Sequence, residues 1–111
     1  AIAEMAKKFG LGHRYELGLT GGKAGVMPND AWKREAVGEQ WYAGDTISAA
    51  IGQGYVTTTP FQLAVMTARI ASGRAVVPRL VRMVNDREVP VPEAPPLAVA
   101  SEYLAAVRQG M

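Results

Sequence analysis

The sequence has no cysteine and a single histidine. Without thiols there is no disulfide framework and no thiolate metal site, and one imidazole cannot assemble a zinc centre. The missing cysteine does not by itself fix a compartment. An excess of charge of one sign is also lacking. The 111 residues carry 12 Lys and Arg against 10 Asp and Glu, interspersed, for a formal charge of +2. Nucleic-acid binding calls for a basic stripe or stacking aromatics, and neither is present. Long apolar runs are absent too, so nothing in the chain reads as a membrane span. The opening residues Ala1–Lys8 place their lysines after a short apolar patch, the reverse of a signal peptide.

What is present is a composition suited to packing. Hydrophobic residues make up 49% of the chain, which excludes a disordered tail, and the length allows one modest core. Both ends read as interior to something larger. The chain opens inside an amphipathic pattern (Ile2, Met5, Ala6, Phe9) with no cap ahead of it, and it closes at Gly110-Met111 just past a helix end. The expectation is a fragment.

Residues 1 to 9 predict the end of a helix, closed by Gly10 and Gly12. A glycine-rich loop without a clean period follows to Pro28. Asn29-Asp30 then caps a short helix near Ala31 to Val37, ended by Gly38. Asp45 is expected to cap a helix over Thr46 to Ile51, with its carboxylate accepting from first-turn amides, and Gly52 and Gly54 to break it. The two glycines flank Gln53 so closely that at least one is expected at positive φ. Thr59-Pro60-Phe61-Gln62 is the clearest local signal. Thr59 fits the N-cap, Pro60 the first helical position, and Gln62 the far side of a capping box. That helix should end at Gly73. Its polar residues are few, which predicts burial on most sides. Val76–Pro78 and Leu80–Val84, then Asn85-Asp86 and Glu88-Val89, predict a small hairpin. Four prolines between 90 and 96 predict a stiff connector, and Ser101-Glu102 opens a last helix with Tyr103, Leu104 and Val107 on its buried side.

Few residues qualify for chemistry. His13 sits alone in the glycine-rich loop and reads as a solvated or hydrogen-bonding residue. Gly18–Ala24 has Leu17 five positions before Gly22, and Ala24 after Lys23 lacks the hydroxyl that a phosphate loop needs. Asp45 is explained as a cap, and Glu35 and Glu39 as exposed helix positions, with their charges facing water. None of the three serines, Ser48, Ser72 and Ser101, is followed one turn later by the lysine that would take its proton.

The order of several motifs resembles the class B penicillin-binding proteins. Phe9-Gly-Leu-Gly12, Gly25-Val-Met-Pro28, Trp32-Lys33, Trp41-Tyr42, Gly44-Asp-Thr46, Ile51-Gly-Gln-Gly-Tyr55, Thr59-Pro60 and Pro78-x-Leu80-Val81 follow in the family's sequence. The family usually reads Thr-Gly-Ile-Asp where this chain has Leu19-Thr-Gly-Gly-Lys, so no role is carried onto that loop.

The resemblance implies a mostly α segment with a small β-hairpin. It would be the helical portion of the α/β, serine β-lactamase-like transpeptidase fold, lying between the Ser-x-Asn and Lys-Thr-Gly motifs. The parent would be a D,D-transpeptidase at the periplasmic face of the inner membrane. It would crosslink peptidoglycan stem peptides through an acyl-serine, be acylated by β-lactams, and work with membrane proteins of wall elongation. No catalytic residue, metal or cofactor is expected in this chain. Its own partner would be the rest of the transpeptidase domain or a second copy. Asp45, Gly52, Gln53, Gly54 and Thr59 are expected to give structural support to the nucleophile helix and the sheet. A non-enzymatic helical interaction or structural module is the competing reading, as is a parent that has lost its catalytic motifs.

Overall fold

The computed structural model describes residues 1–18 and 20–111. Leu19, where the glycine-rich loop departs from the family pattern, lies outside the described residues. The elements in chain order are α1 (Ile2–Lys8), α2 (Asp30–Ala36), α3 (Ala43–Ala50), α4 (Pro60–Ser72), β1 (Met83–Val84), β2 (Arg87–Glu88) and α5 (Ser101–Gln109).

The helix starts follow local chemistry. Asn29 caps α2 by accepting from the Trp32 amide at 2.8 Å. Thr59 caps α4, its hydroxyl accepting from the Gln62 amide at 3.1 Å, with Pro60 at the first helical position. Gly73 ends α4 in the left-handed region, at φ 69°, where a side chain would be strained. The hairpin turns on Asn85 and Asp86, both left-handed at φ 48° and 61°. Two such residues match the twist of the flanking strands, and Asn and Asp tolerate that conformation better than most. The strands are shorter than the sequence predicts, two residues each, with Met83 opposite Glu88 and Val84 opposite Arg87.

The last third is zipped together by backbone. The proline connector runs back along the residues after α4. The Ala75 amide donates to the Pro95 carbonyl at 2.8 Å, and the Leu97 amide to the Gly73 carbonyl at 2.9 Å. Prolines have no amide hydrogen, so the donors come from the other strand or from Leu97 itself. This sets Leu97 into the small core beside α4 and α5.

That core is thin. The buried hydrophobic residues are Ala3, Val65, Ile70, Leu97 and Leu104, whereas eighteen large hydrophobic residues are exposed among those described. The accessible surface is 7908 Å². A compact monomer of this mass would show about 5,900 Å². The radius of gyration, 16.3 Å, likewise exceeds the ~13 Å of a compact chain this long. Two expectations are corrected by this. Helix α4 is covered on one face only: Gln62, Val65 and Ile70 are buried, while Phe61 and Leu63 are 39% and 43% exposed. Helix α5 buries Leu104, but Tyr103 and Val107 face outward. The reason is shared. The two helices pack on each other, and among the described residues no other helix or strand packs extensively on either.

Candidate functional site: two buried polar anchors

The α2–α3 region is organised by Lys33, whose side chain is 3% exposed. Its ammonium lies 2.7 Å from Asp45 Oδ2 and 3.6 Å from Glu39 Oε2. The faces of Tyr42 and Tyr55 complete the enclosure, with ring centres 4.6 and 5.9 Å from Nζ. Such faces carry negative potential and attract a cation. The hydrogen bond to Asp45 is the main reason the Lys33 ammonium is held above its ordinary pKa, against the opposing effect of burial. The same bond, with the Tyr42 amide, holds Asp45 below the usual carboxylate range.

Asp45 is therefore not the cap that the sequence predicts. Helix α3 begins at Ala43, three residues earlier than expected, and Asp45 is its third residue. From there Oδ2 reaches back to accept from the Tyr42 amide at 2.8 Å. Nor does its charge face water: the side chain is 17% exposed. The helix starts early because the chain stays extended only as far as Tyr42, at φ −106° and ψ 159°. The approach to α3 is also tied down. Asp30 accepts from the Trp41 amide at 3.0 Å and from Arg34 at 2.9 Å, and the Trp41 indole donates to Thr46 Oγ1 at 2.7 Å. Arg34 first, and Trp41 next, keep the Asp30 pKa low.

The second anchor is Gln62, 1% exposed. Its Nε2 donates to two backbone carbonyls, His13 at 2.9 Å and Ala24 at 2.6 Å. Its Oε1 accepts from the Thr59 amide at 2.9 Å and from the Thr58 hydroxyl at 3.0 Å. Both donors are used, and two acceptor positions are filled, which is what a buried amide needs. Beside it Val26 and Thr57 form an antiparallel bridge with amide bonds of 2.8 and 3.0 Å. Gly25, at φ +63°, runs against this bridge. A Cβ there would collide with the Thr57 carbonyl and come within 3.1 Å of Gln62 Oε1.

The other predicted support residues lie between these anchors. Gly52 and Gly54 both have positive φ, 71° and 68°. A Cβ on Gly52 would meet open space, but one on Gly54 would come within 3.2 Å of Ser48 Cβ. Gln53 contributes its backbone, donating to the Ser48 carbonyl at 2.9 Å, while its side chain is exposed. Thr59 reaches the Gln62 anchor and Asp45 the Lys33 anchor; among the described residues no side-chain hydrogen bond joins the two sets directly. The turn carries Tyr55 back over α2, with its ring 5.3 Å from Trp32.

Sequence reasoning missed Lys33, and it saw in Gln62 only the capping box. The signal for Lys33 was present in its match to the family's Trp-Lys pair. Other candidates stay apart from these anchors. Ser72 donates to the Ala68 carbonyl at 2.7 Å, closing its own helix. Ser101 is exposed at the start of α5. The His13 ring is exposed and stands edge-on to Tyr15 at 4.8 Å, and only its backbone joins the Gln62 anchor. Tyr15 is pushed up in pKa by burial and donates to the Gly10 carbonyl at 3.0 Å. A cleft of about 370 Å³ lies between the loop residues Tyr15, Leu17 and Lys23 and the start of α4 at Thr59 and Phe61.

Known proteins place this arrangement. The profile of the penicillin binding protein transpeptidase domain matches residues 1–111. Peptidoglycan D,D-transpeptidase MrdA of Salmonella typhimurium is 37% identical over 117 aligned positions, which cover 99% of this chain and 19% of the relative. The chain thus spans about a fifth of that relative's length. Among solved structures, penicillin-binding protein 2 of Pseudomonas aeruginosa, in complex with WCK 5153, matches with a TM-score of 0.83 at 32% identity. The match covers 97% of this chain and 25% of that one. The Helicobacter pylori PBP2 complex with MreC matches with a TM-score of 0.79 at 28% identity, over 98% of this chain and 20% of the other. With sequence and backbone agreeing along its whole length, the chain belongs to the penicillin-binding protein transpeptidase domain family.

Proposed function

We propose that this chain is the helical stretch between the second and third catalytic motifs of a peptidoglycan D,D-transpeptidase, and that it braces the active site without supplying a reacting group. The observation that carries this is the end-to-end likeness to MrdA and PBP2, in which the chain covers only about a fifth to a quarter of each relative. The physical role follows from the anchors. A crosslinking enzyme must hold its nucleophile within a fraction of an ångström of its substrate, and a rigid neighbouring layer keeps it there. Lys33 with Asp45, and Gln62 with the loop carbonyls, supply that rigidity from inside the layer. Asp45, Gly52, Gln53, Gly54 and Thr59 act in this scheme as supports. The outward faces of α4 and α5 supply the apolar surface that the rest of the domain covers.

The whole protein would then join peptidoglycan stem peptides through an acyl-serine and be acylated by β-lactams at the same serine. Among the described residues no helix is long and apolar enough to cross a membrane. A periplasmic position at the inner membrane is inferred from the wall-synthesis names of the relatives, and partnership with elongation proteins from the PBP2–MreC complex. The exposed apolar residues are the one observation that favours an interaction module instead.

A fluorescent penicillin separates the two readings. The full-length protein should be labelled covalently and lose the label when preincubated with unlabelled drug. A folded full-length protein that takes up no label would leave only the structural-module reading.

A further inference from the structure

Distant parts of the chain meet at the C-terminal end of α4, and Arg69 stands in its last turn. The Arg69 Nη1 donates to the Lys8 carbonyl at 2.8 Å, and its Nε to the Val76 carbonyl at 3.1 Å. Lys8 is the last residue of α1, and the carbonyls of a helix's final turn have no partner inside the helix. One planar guanidinium thus ties α1 to α4 and to the segment that leaves α4. The backbone is shaped to allow it. Gly10 follows α1 at φ 94°, and a Cβ there would collide with the Tyr15 hydroxyl and come within 3.4 Å of Arg69 Cζ. Two further ties converge nearby. Arg108 Nε donates from α5 to the Ile70 carbonyl at 2.7 Å, and Lys8 Nζ donates to the Ala98 carbonyl, just before α5, at 3.3 Å.

We propose that Arg69 is a positioning residue for acylation. The proposal rests on the transpeptidase reading, in which the second catalytic motif lies ahead of α1 and the third lies beyond α5. Arg69 then fixes the route in from one motif against the route out to the other, by way of α4. This takes a fork, since the two carbonyls belong to segments 61 and 7 positions away along the chain. A guanidinium offers five donors at set angles, whereas an ammonium is a compact point of charge on a flexible stem and cannot hold both carbonyls in one geometry. Without the fork, α1 shifts against the end of α4, and the second motif loses its alignment with the third. The groups that first bind the drug keep their chemistry, so acylation slows more than binding weakens. A misplacement of about 1 Å far from the reacting atoms can cost ~100-fold in rate.

Acylation of the full-length protein by a fluorescent penicillin tests it. Rates are followed by rapid mixing over a range of drug concentrations, at a temperature where circular dichroism shows each variant folded. For Arg69→Met the limiting acylation rate constant should fall at least about tenfold, while the concentration giving half that rate changes less than about twofold. Arg69→Lys keeps the charge and the stem but not the fork, and should be as slow as Arg69→Met. A wild-type rate in either variant, or a loss confined to drug binding, would overturn the proposal. If Arg69→Met does not fold, Arg69→Lys decides alone on the same two readouts. If neither folds, Arg69 holds the fold itself and not the alignment, which also overturns it. A wild type that takes no label overturns the transpeptidase reading and this proposal together. A labelled wild type with unaffected variants overturns this proposal only.

Discussion

Lys33 and Gln62 are the two long polar side chains that are buried among the described residues, and they are satisfied in opposite ways. Lys33 is enclosed by a carboxylate 2.7 Å away, a second at 3.6 Å and two tyrosine faces. Gln62 is enclosed by neutral backbone and a threonine hydroxyl. A charge can be held by partners at varied angles, but those partners must stay ionised. An amide needs a carbonyl or amide on each lobe, but it is indifferent to pH. The α2–α3 region is thus fastened by a contact that tolerates small shifts and fails at extremes of pH. The loop–α4 region is fastened by one that tolerates no misplacement and ignores pH.

Removing Asp45 should do the greatest damage. Asp45→Ala in the full-length protein leaves the Lys33 ammonium buried with only the more distant Glu39, and losing one partner of a buried pair is costly. The urea midpoint should fall further than for any other change considered, and Lys33→Met combined with Asp45→Leu should recover much of it. The pH dependence has a definite sign. Asp45 is held below its ordinary pKa. Its contribution is therefore complete above about pH 4 and is lost as pH falls through the folded value. Lys33 is held above its ordinary pKa. Its contribution is complete below about pH 10 and is lost as pH rises through its folded value. The stability difference between wild type and the double variant should be flat between those limits and shrink outside them.

Gln62→Leu comes next. It strands two carbonyls and the Thr59 amide, and should cost about 3 kcal/mol in urea unfolding, constant from pH 5 to pH 9. A strongly pH-dependent loss, or one larger than that of Asp45→Ala, would break the contrast between the anchors. The turn between the anchors gives smaller effects. Gly54→Ala should cost about 1–2 kcal/mol, because it combines a left-handed backbone with crowding against Ser48, and Gly52→Ala only about 1 kcal/mol, from the backbone alone. Equal losses would show that the Ser48 contact is slack. Thr59→Ala should have an effect as small as that of Gly52→Ala, removing about 1 kcal/mol by deleting one cap of α4.

What the sequence revealed, and what it hid, divides along the same line. The Thr59 cap, the Gly73 stop, the Asn85-Asp86 turn and a positive φ at one or both of Gly52 and Gly54 are set by neighbours within a few positions, and each was legible; that both glycines are left-handed was not. Lys33 meets Asp45 across twelve residues, and Gln62 meets His13 across forty-nine. No local pattern encodes such pairs. Asp45 was misplaced because an acid three residues after an extended position and an acid at the cap itself look alike in sequence. Tyr103, Val107 and the outer side of α4 were expected to be covered, since apolar spacing marks a face that seeks a partner without saying which element provides it.

The central claim is that this segment supports acylation and is never acylated itself. Its most direct test is to treat the full-length protein with penicillin, digest it, and locate the modified serine by mass spectrometry. The account predicts one adduct, on a serine outside residues 1–111, with Ser48, Ser72 and Ser101 unmodified. A stoichiometric adduct on any of those three would contradict it.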